Sequence, residues 1–97
     1  MISVHISYPR TDDDATFDID YYTETHMPML AEAIGDPCQG WGASAVEAGA
    51  WQAIGWVTVD SREAFDAAMA EHGAKIRGDV PDYTNVAPQL VIGEVAR

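Results

Sequence analysis

Ile2, Val4, Ile6 and Tyr8 alternate with Ser3, His5 and Ser7, a period of two that predicts an opening strand with an apolar and a polar face. Pro9 and the run Thr11-Asp12-Asp13-Asp14 end it. The period then becomes helical. Asp18 suits an N-cap, and Tyr22, His26, Met29, Leu30 and Ala33 recur on one helical face as far as about Ile34. Gly35 and then Asp36-Pro37 stop that helix. A weaker strand is predicted over Gln39–Glu47, supported mainly by its hairpin partner Trp51–Val59. The partner places Ala53, Gly55, Val57 and Val59 on one face and Gln52, Ile54, Trp56 and Thr58 on the other. Small residues on the first face predict a closely packed helix against it. Asp60 or Ser61 caps a second helix that turns Phe65, Ala68, Met69, His72 and Ile76 inward and ends between Gly78 and Pro81. Tyr83-Thr84-Asn85 then approaches a last strand, Gln89–Val95.

The order β-α-β-β-α-β with right-handed crossovers predicts an α+β fold, the ferredoxin-like plait: a four-stranded antiparallel sheet with two helices on one face. A single domain spanning 1–97 is expected. The uncovered face would carry Ile54 and Trp56, an apolar patch that two sheets can bury by packing face to face. A homodimer of this kind is therefore expected.

Pro28 breaks the helical pattern. It lacks the N–H that would bond the Glu24 carbonyl, and its ring crowds that turn, so a bend is predicted beside His26. Such a bend opens space next to an imidazole one turn beyond Tyr22.

Charge and composition narrow the function classes. Sixteen acidic residues against five basic ones give a net charge of −11, a field that repels phosphate backbones and argues against nucleic acid as a partner. No apolar run approaches the ~20 residues of a membrane helix, and the N-terminus lacks the pattern of a signal peptide. No membrane association is expected. The lone Cys38 excludes an intrachain disulfide and fits a reducing, cytoplasmic setting. The three histidines lack the close spacing of a zinc motif, Asp12-Asp13-Asp14 lacks the spacing and glycine of a calcium loop, and no glycine-rich phosphate loop follows a strand. Neither metal nor another cofactor is expected.

His26 is the leading candidate for general acid–base chemistry, because a partly buried imidazole exchanges protons near neutrality; its alternative is a core histidine bonded to a carbonyl. Tyr22 or Tyr83 can orient it or share its proton. Asn85 can donate to a substrate oxygen or cap the turn before the last strand. His72 can form the opposite wall of the pocket or merely close its helix, and Trp56 belongs either to that wall or to an interface. His5, on the polar face of the first strand, reads as an ordinary strand residue.

The residues Tyr8-Pro9, Phe17-Asp18, Tyr21-Tyr22, His26-Met27-Pro28, Phe65 and Pro81-Asp82-Tyr83-Thr84-Asn85 together resemble the EthD family, named for ethyl tert-butyl ether degradation. The resemblance spans nearly the whole chain. It departs in one place: only about Ala48 to Ala50 joins the second and third strands, where the family often has a longer Gly/Pro-rich loop. The resemblance implies a dimeric α+β barrel related to monooxygenases, isomerases and cyclases, and it centres on His26. On the reading of the residues themselves, Tyr22 joins His26 as a catalytic candidate, and Tyr83, Asn85, His72 and Trp56 are the candidates for substrate contact. The resemblance further implies a small apolar cyclic or aromatic substrate, as in xenobiotic degradation, handled without a bound cofactor. Haem, which distantly related barrels hold through a histidine, is a minor alternative. A noncatalytic accessory or ligand-binding protein of an oxygenase-type pathway is the second reading.

Overall fold

The computed structural model covers residues 1–97. Strand β1 (Ile2–Pro9) leads to a helix α1, built from an α-helical turn Ile19–Tyr21, a π-helical turn Tyr22–His26 and an α-helical segment Met27–Ile34. A hairpin of β2 (Cys38–Ala45) and β3 (Trp51–Val59) follows. Helix α2 (Arg62–Gly78), a 3₁₀ turn Val80–Asp82 and β4 (Gln89–Glu94) complete the chain. The strands form one antiparallel sheet in the order β2-β3-β1-β4, the expected ferredoxin-like plait.

Both helices start on side-chain caps. Asp18 Oδ1 accepts from the Tyr21 N–H at 3.0 Å, and Ser61 Oγ accepts from the Ala64 N–H at 3.1 Å. Gly35 ends α1 at φ 77°, a conformation that favours glycine. Strand β2 stops at Ala45 rather than Glu47, and its partnership with β3 begins with an irregular register at Cys38–Gly40. Its glycines and alanines bring little side-chain packing, so pairing rather than propensity sets its ends.

Where Pro28 predicts a break in the helical pattern, the chain makes a π-helical turn. Pro28 cannot donate to the Glu24 carbonyl, and just before it the chain widens so that the Met27 N–H bonds to the Tyr22 carbonyl, five residues back. The Thr23 hydroxyl donates to the Ile19 carbonyl at 2.9 Å. Widening changes which residues face the sheet. Tyr22, His26, Met27, Leu30 and Ile34 are buried, whereas Met29 and Ala33, which strict helical spacing turns inward, are only half-buried.

Ile2, Val4, Ile6 and Tyr8 of β1 and Ala53, Gly55, Val57 and Val59 of β3 form the floor beneath the helices. At Gly55 an added methyl would overlap the Tyr22 hydroxyl, so glycine is what lets α1 lie this close to the sheet. The opposite face carries a row of Gly42, Trp56, His5 and Val91, with Ile54 in the adjacent row. The Trp56 ring lies over Gly42, where any side chain would collide with it, and Val91 is 63% exposed. No helix is long and apolar enough to cross a membrane.

Candidate active site

Three parts of the chain meet above the end of β1. Tyr8 closes the apolar side of that strand, the π-helical turn delivers Tyr22 and His26, and the segment after α2 supplies Asp79 and Tyr83. The last segment is tied down at both ends. The Tyr83 N–H donates to the Val80 carbonyl at 3.1 Å, and the Tyr83 carbonyl accepts from the Asp18 N–H at 2.7 Å. The Thr84 hydroxyl donates to the Thr16 carbonyl at 2.6 Å. These bonds leave the Tyr83 side chain little freedom and point it into the core, where it is 3% exposed.

The polar groups form a continuous chain. The Tyr8 and Tyr83 hydroxyls are 2.6 Å apart, and the Tyr83 hydroxyl lies 3.4 Å from His26 Nε2. His26 Nδ1 is 2.9 Å from Asp79 Oδ2, and the Tyr21 hydroxyl donates to Asp79 Oδ1 at 2.8 Å. An ionised carboxylate only accepts, so its contact assigns a proton to Nδ1; in the neutral imidazole Nε2 is then the acceptor facing Tyr83. The imidazole is buried at 2% exposure, and Tyr22 stacks on it with ring centres 5.5 Å apart and planes 14° from parallel.

The environment sets the charge on each group. Burial by itself would raise the Asp79 carboxyl, but hydrogen bonds from His26 and Tyr21 outweigh it and hold the group below the usual carboxylate range. Burial pushes the Tyr8, Tyr22 and Tyr83 phenols well above the ordinary tyrosine value. Tyr21 is pushed up to about 12, chiefly by its hydrogen bond to Asp79. Near neutrality the four phenols are therefore uncharged. They can pass a proton along only by receiving one as they give one.

A cavity of about 530 Å³ lies between α2 and the β1–β4 side of the sheet. Ile6, Leu30, Phe65, Met69, Ile76, Val80 and Leu90 make its wall almost wholly apolar, and Tyr8 is the one member of the hydrogen-bonded chain that lines it. The network thus begins at an apolar pocket and ends at a carboxylate, a geometry that can move a proton between the two.

Of the residues singled out from the sequence, His26, Tyr22 and Tyr83 come together and the others do not. Asn85 spends both ends of its amide on the loop before α1, accepting from the Thr16 N–H at 2.9 Å and donating to the Asp14 carbonyl at 2.9 Å. His72 sits in a separate groove between the helices with Met29, Glu32 and Lys75, because position 72 falls at the rim of the buried stripe on α2. Trp56 lies on the open face of the sheet. The Tyr22 hydroxyl presses toward Gly55 and meets no hydrogen-bond partner, so its ring rather than its oxygen touches His26. Tyr8 was legible as an inward strand residue but not as a polar one. Asp79, 53 positions from His26, looked only like part of a helix terminator.

No group of three or more His, Cys, Asp or Glu side chains gathers to hold a metal ion. His26 does not fit an axial haem ligand: both nitrogens are engaged within the core, one by Asp79 and the other toward Tyr83.

Together these features define a ferredoxin-like α+β protein with a buried tyrosine–histidine–aspartate network beside an apolar cavity. No family model matches the sequence, and no curated protein does. Among solved structures, an EthD-like protein from Ralstonia eutropha is 39% identical over 99% of this chain and 92% of its own, with a TM-score of 0.87. On that similarity the chain belongs to the EthD family. An ethyl tert-butyl ether degradation (EthD) family protein from Bacillus halodurans superposes with a TM-score of 0.64 at 16% identity, covering 98% of each chain. A dimeric protein of unknown function with a ferredoxin-like fold, from Bacteroides fragilis, does so with a TM-score of 0.52 at 14% identity over 97% of this chain and 96% of its own. At these identities the second and third likenesses speak to the fold alone.

Proposed function

We propose that the protein is a small homodimeric enzyme that moves a proton on an apolar cyclic or aromatic compound held in the cavity, with His26 as general acid–base. The hydrogen-bonded chain from Tyr8 on the cavity wall to Asp79 carries this reading. A substrate proton passes to the Tyr8 oxygen as Tyr8 gives its own to Tyr83, and Tyr83 gives its own to His26 Nε2. Asp79 then faces an imidazolium and offsets its burial. The 3.4 Å step to Nε2 has to shorten when substrate seats, as catalytic hydrogen bonds commonly do. The Tyr8 phenol, again neutral, donates to the oxyanion left on an enol or phenol. Such chemistry suits an isomerase-type step or the deprotonation that opens a monooxygenation. The homodimer is supported by the row of Trp56 and Val91 on the uncovered sheet face.

The test is solvent exchange. Cyclic ketones, lactones and phenols are incubated with the protein in D₂O, and deuterium entering at the activated carbon is followed by NMR. His26→Gln, verified as folded by circular dichroism, should lower the rate by about 10²–10⁴-fold. Exchange that persists unchanged in the folded variant rules out His26 as the base. A second reading, a noncatalytic ligand-binding protein, is favoured by one observation: His26 itself does not line the cavity. It predicts binding of the same compounds with no exchange in either protein.

A further inference from the structure

Arg77 stands out among the cations of this chain. Of the five basic residues only Arg62 is in an ion pair, with Asp66 at 2.9 Å, so the Arg77 guanidinium is unpaired, as are Arg10, Lys75 and Arg97, and what separates it from them is where it lies. Arg77 is the only charged side chain lining the apolar cavity. Its position depends on Gly73, one helical turn earlier. Side chains on a helix lean toward its N-terminus, and Arg77 lies back over Gly73 so closely that a Cβ there would stand 2.7 Å from Nη1. Gly73 is buried in the interior of α2, where glycine costs the helix stability relative to alanine. With no side chain at position 73, the guanidinium can lie over that turn beside the cavity; a methyl there would make it shift.

We infer that Arg77 at the cavity wall selects an anionic ligand, an apolar ring or chain that bears a carboxylate, sulfonate or phenolate. The inference rests on the reading of the cavity as the ligand site and adds the ligand's charge. The apolar wall takes the skeleton, and the unpaired guanidinium takes the oxygens by charge-assisted hydrogen bonds. The net charge of −11 opposes anions at long range, but salt at 0.15 M screens charges beyond roughly 8 Å, so the local contact decides.

Two fluorescent probes of nearly one skeleton separate charge from packing: 8-anilinonaphthalene-1-sulfonate and the neutral N-phenyl-1-naphthylamine, titrated at 0.15 M salt. Arg77→Gln should weaken the sulfonate by about 10-fold, the low end for a hydrogen bond to a charged group, and leave the neutral amine within about 2-fold. Arg62→Gln, which removes the same charge away from the cavity, should alter neither. Gly73→Ala displaces the guanidinium without removing it, so it should weaken the sulfonate alone while the melting temperature holds or rises. Met69→Trp, which fills the cavity, should exclude both probes. Equal weakening of both probes by Arg77→Gln, or a sulfonate loss matched by Arg62→Gln, overturns the role of Arg77 and leaves the cavity reading standing. Retention of both probes by Met69→Trp overturns the cavity reading, and the Arg77 assignment with it.

Discussion

Replacing Asp79 by Asn keeps the shape of the side chain and removes the charge on which the network closes. In the native protein its two oxygens receive His26 Nδ1–H at 2.9 Å and the Tyr21 hydroxyl at 2.8 Å. An amide accepts through one oxygen only and turns N–H groups toward the other donor, so one of the two bonds is lost and the survivor is no longer charge-assisted. Hydrogen bonds to charged groups contribute about 1.5–3 kcal/mol. With the Asp79 side chain 14% exposed, water replaces part of the loss, and about 1.5 kcal/mol is expected near pH 7. For a chain of this size that corresponds to a fall of about 6–12 °C in Tm.

The pH dependence identifies the cause. Because the folded carboxyl is held below its ordinary value of 3.8, the native state binds fewer protons than the unfolded state as pH falls through that range. The stabilisation is therefore fully present above the unfolded value and lost as pH drops through the lower folded one. Urea unfolding of both proteins at fixed protomer concentration, from pH 7 downward, should show a gap that holds to about pH 5 and narrows below 3.8. A gap that stays constant through the acid range would mean that Asn perturbs packing and not charge. No gap at pH 7 would mean that the carboxylate contributes nothing to holding His26.

Tyr22→Phe removes a buried hydroxyl that has no partner, so stability should hold or rise by about 1 kcal/mol, read by thermal unfolding. Proton exchange should also persist, since the ring stack on His26 is kept; loss of exchange in the folded variant would return the hydroxyl to the chemistry. Spectrophotometric titration should show no tyrosinate at pH 10 while the protein is folded, with the first step near pH 12 absent from Tyr21→Phe. Tyr21 is raised on folding, so its contribution is present below pH 10 and declines between 10 and 12; a folded-state tyrosine titrating at 10.0 would contradict the contacts described.

The sheet was legible because period-two alternation is a direct record of which side faces the core. Val4 and Val57 are both fully buried, and the small residues of β3 foretold a helix pressed against them. The first helix was legible as an element but not in its facing. At about 100° per residue, Met27 stands about 140° from Tyr22 and cannot share its face in a regular α-helix. The widened turn ahead of Pro28 lets both enter the core with His26, at the cost of the regular register that sequence spacing assumes. A proline announces that a helix must break its pattern. How the break is resolved depends on what lies beneath, here the Gly55 backbone that receives Tyr22.

The candidate site divides along the same line. His26 and Tyr83 could be suspected because a histidine on an apolar face and a tyrosine before a last strand are locally conspicuous. Asp79 could not be, since an aspartate after a helix-ending glycine is an ordinary terminator and nothing near it in sequence distinguishes it from Asp82. What distinguishes them is the 3₁₀ turn. It opens at Val80 on the residue that ends α2, and its Val80 carbonyl accepts from both the Tyr83 and Thr84 N–H groups at 3.1 Å. Three residues are thereby folded into one short turn, which brings the Asp79 carboxylate to one nitrogen of His26 and the Tyr83 phenol toward the other. The imidazole is approached from both sides by a segment four positions apart in sequence. A lengthening of the Val80–Asp82 turn would separate the acid from the phenol and break the path, even with every side chain of the network retained.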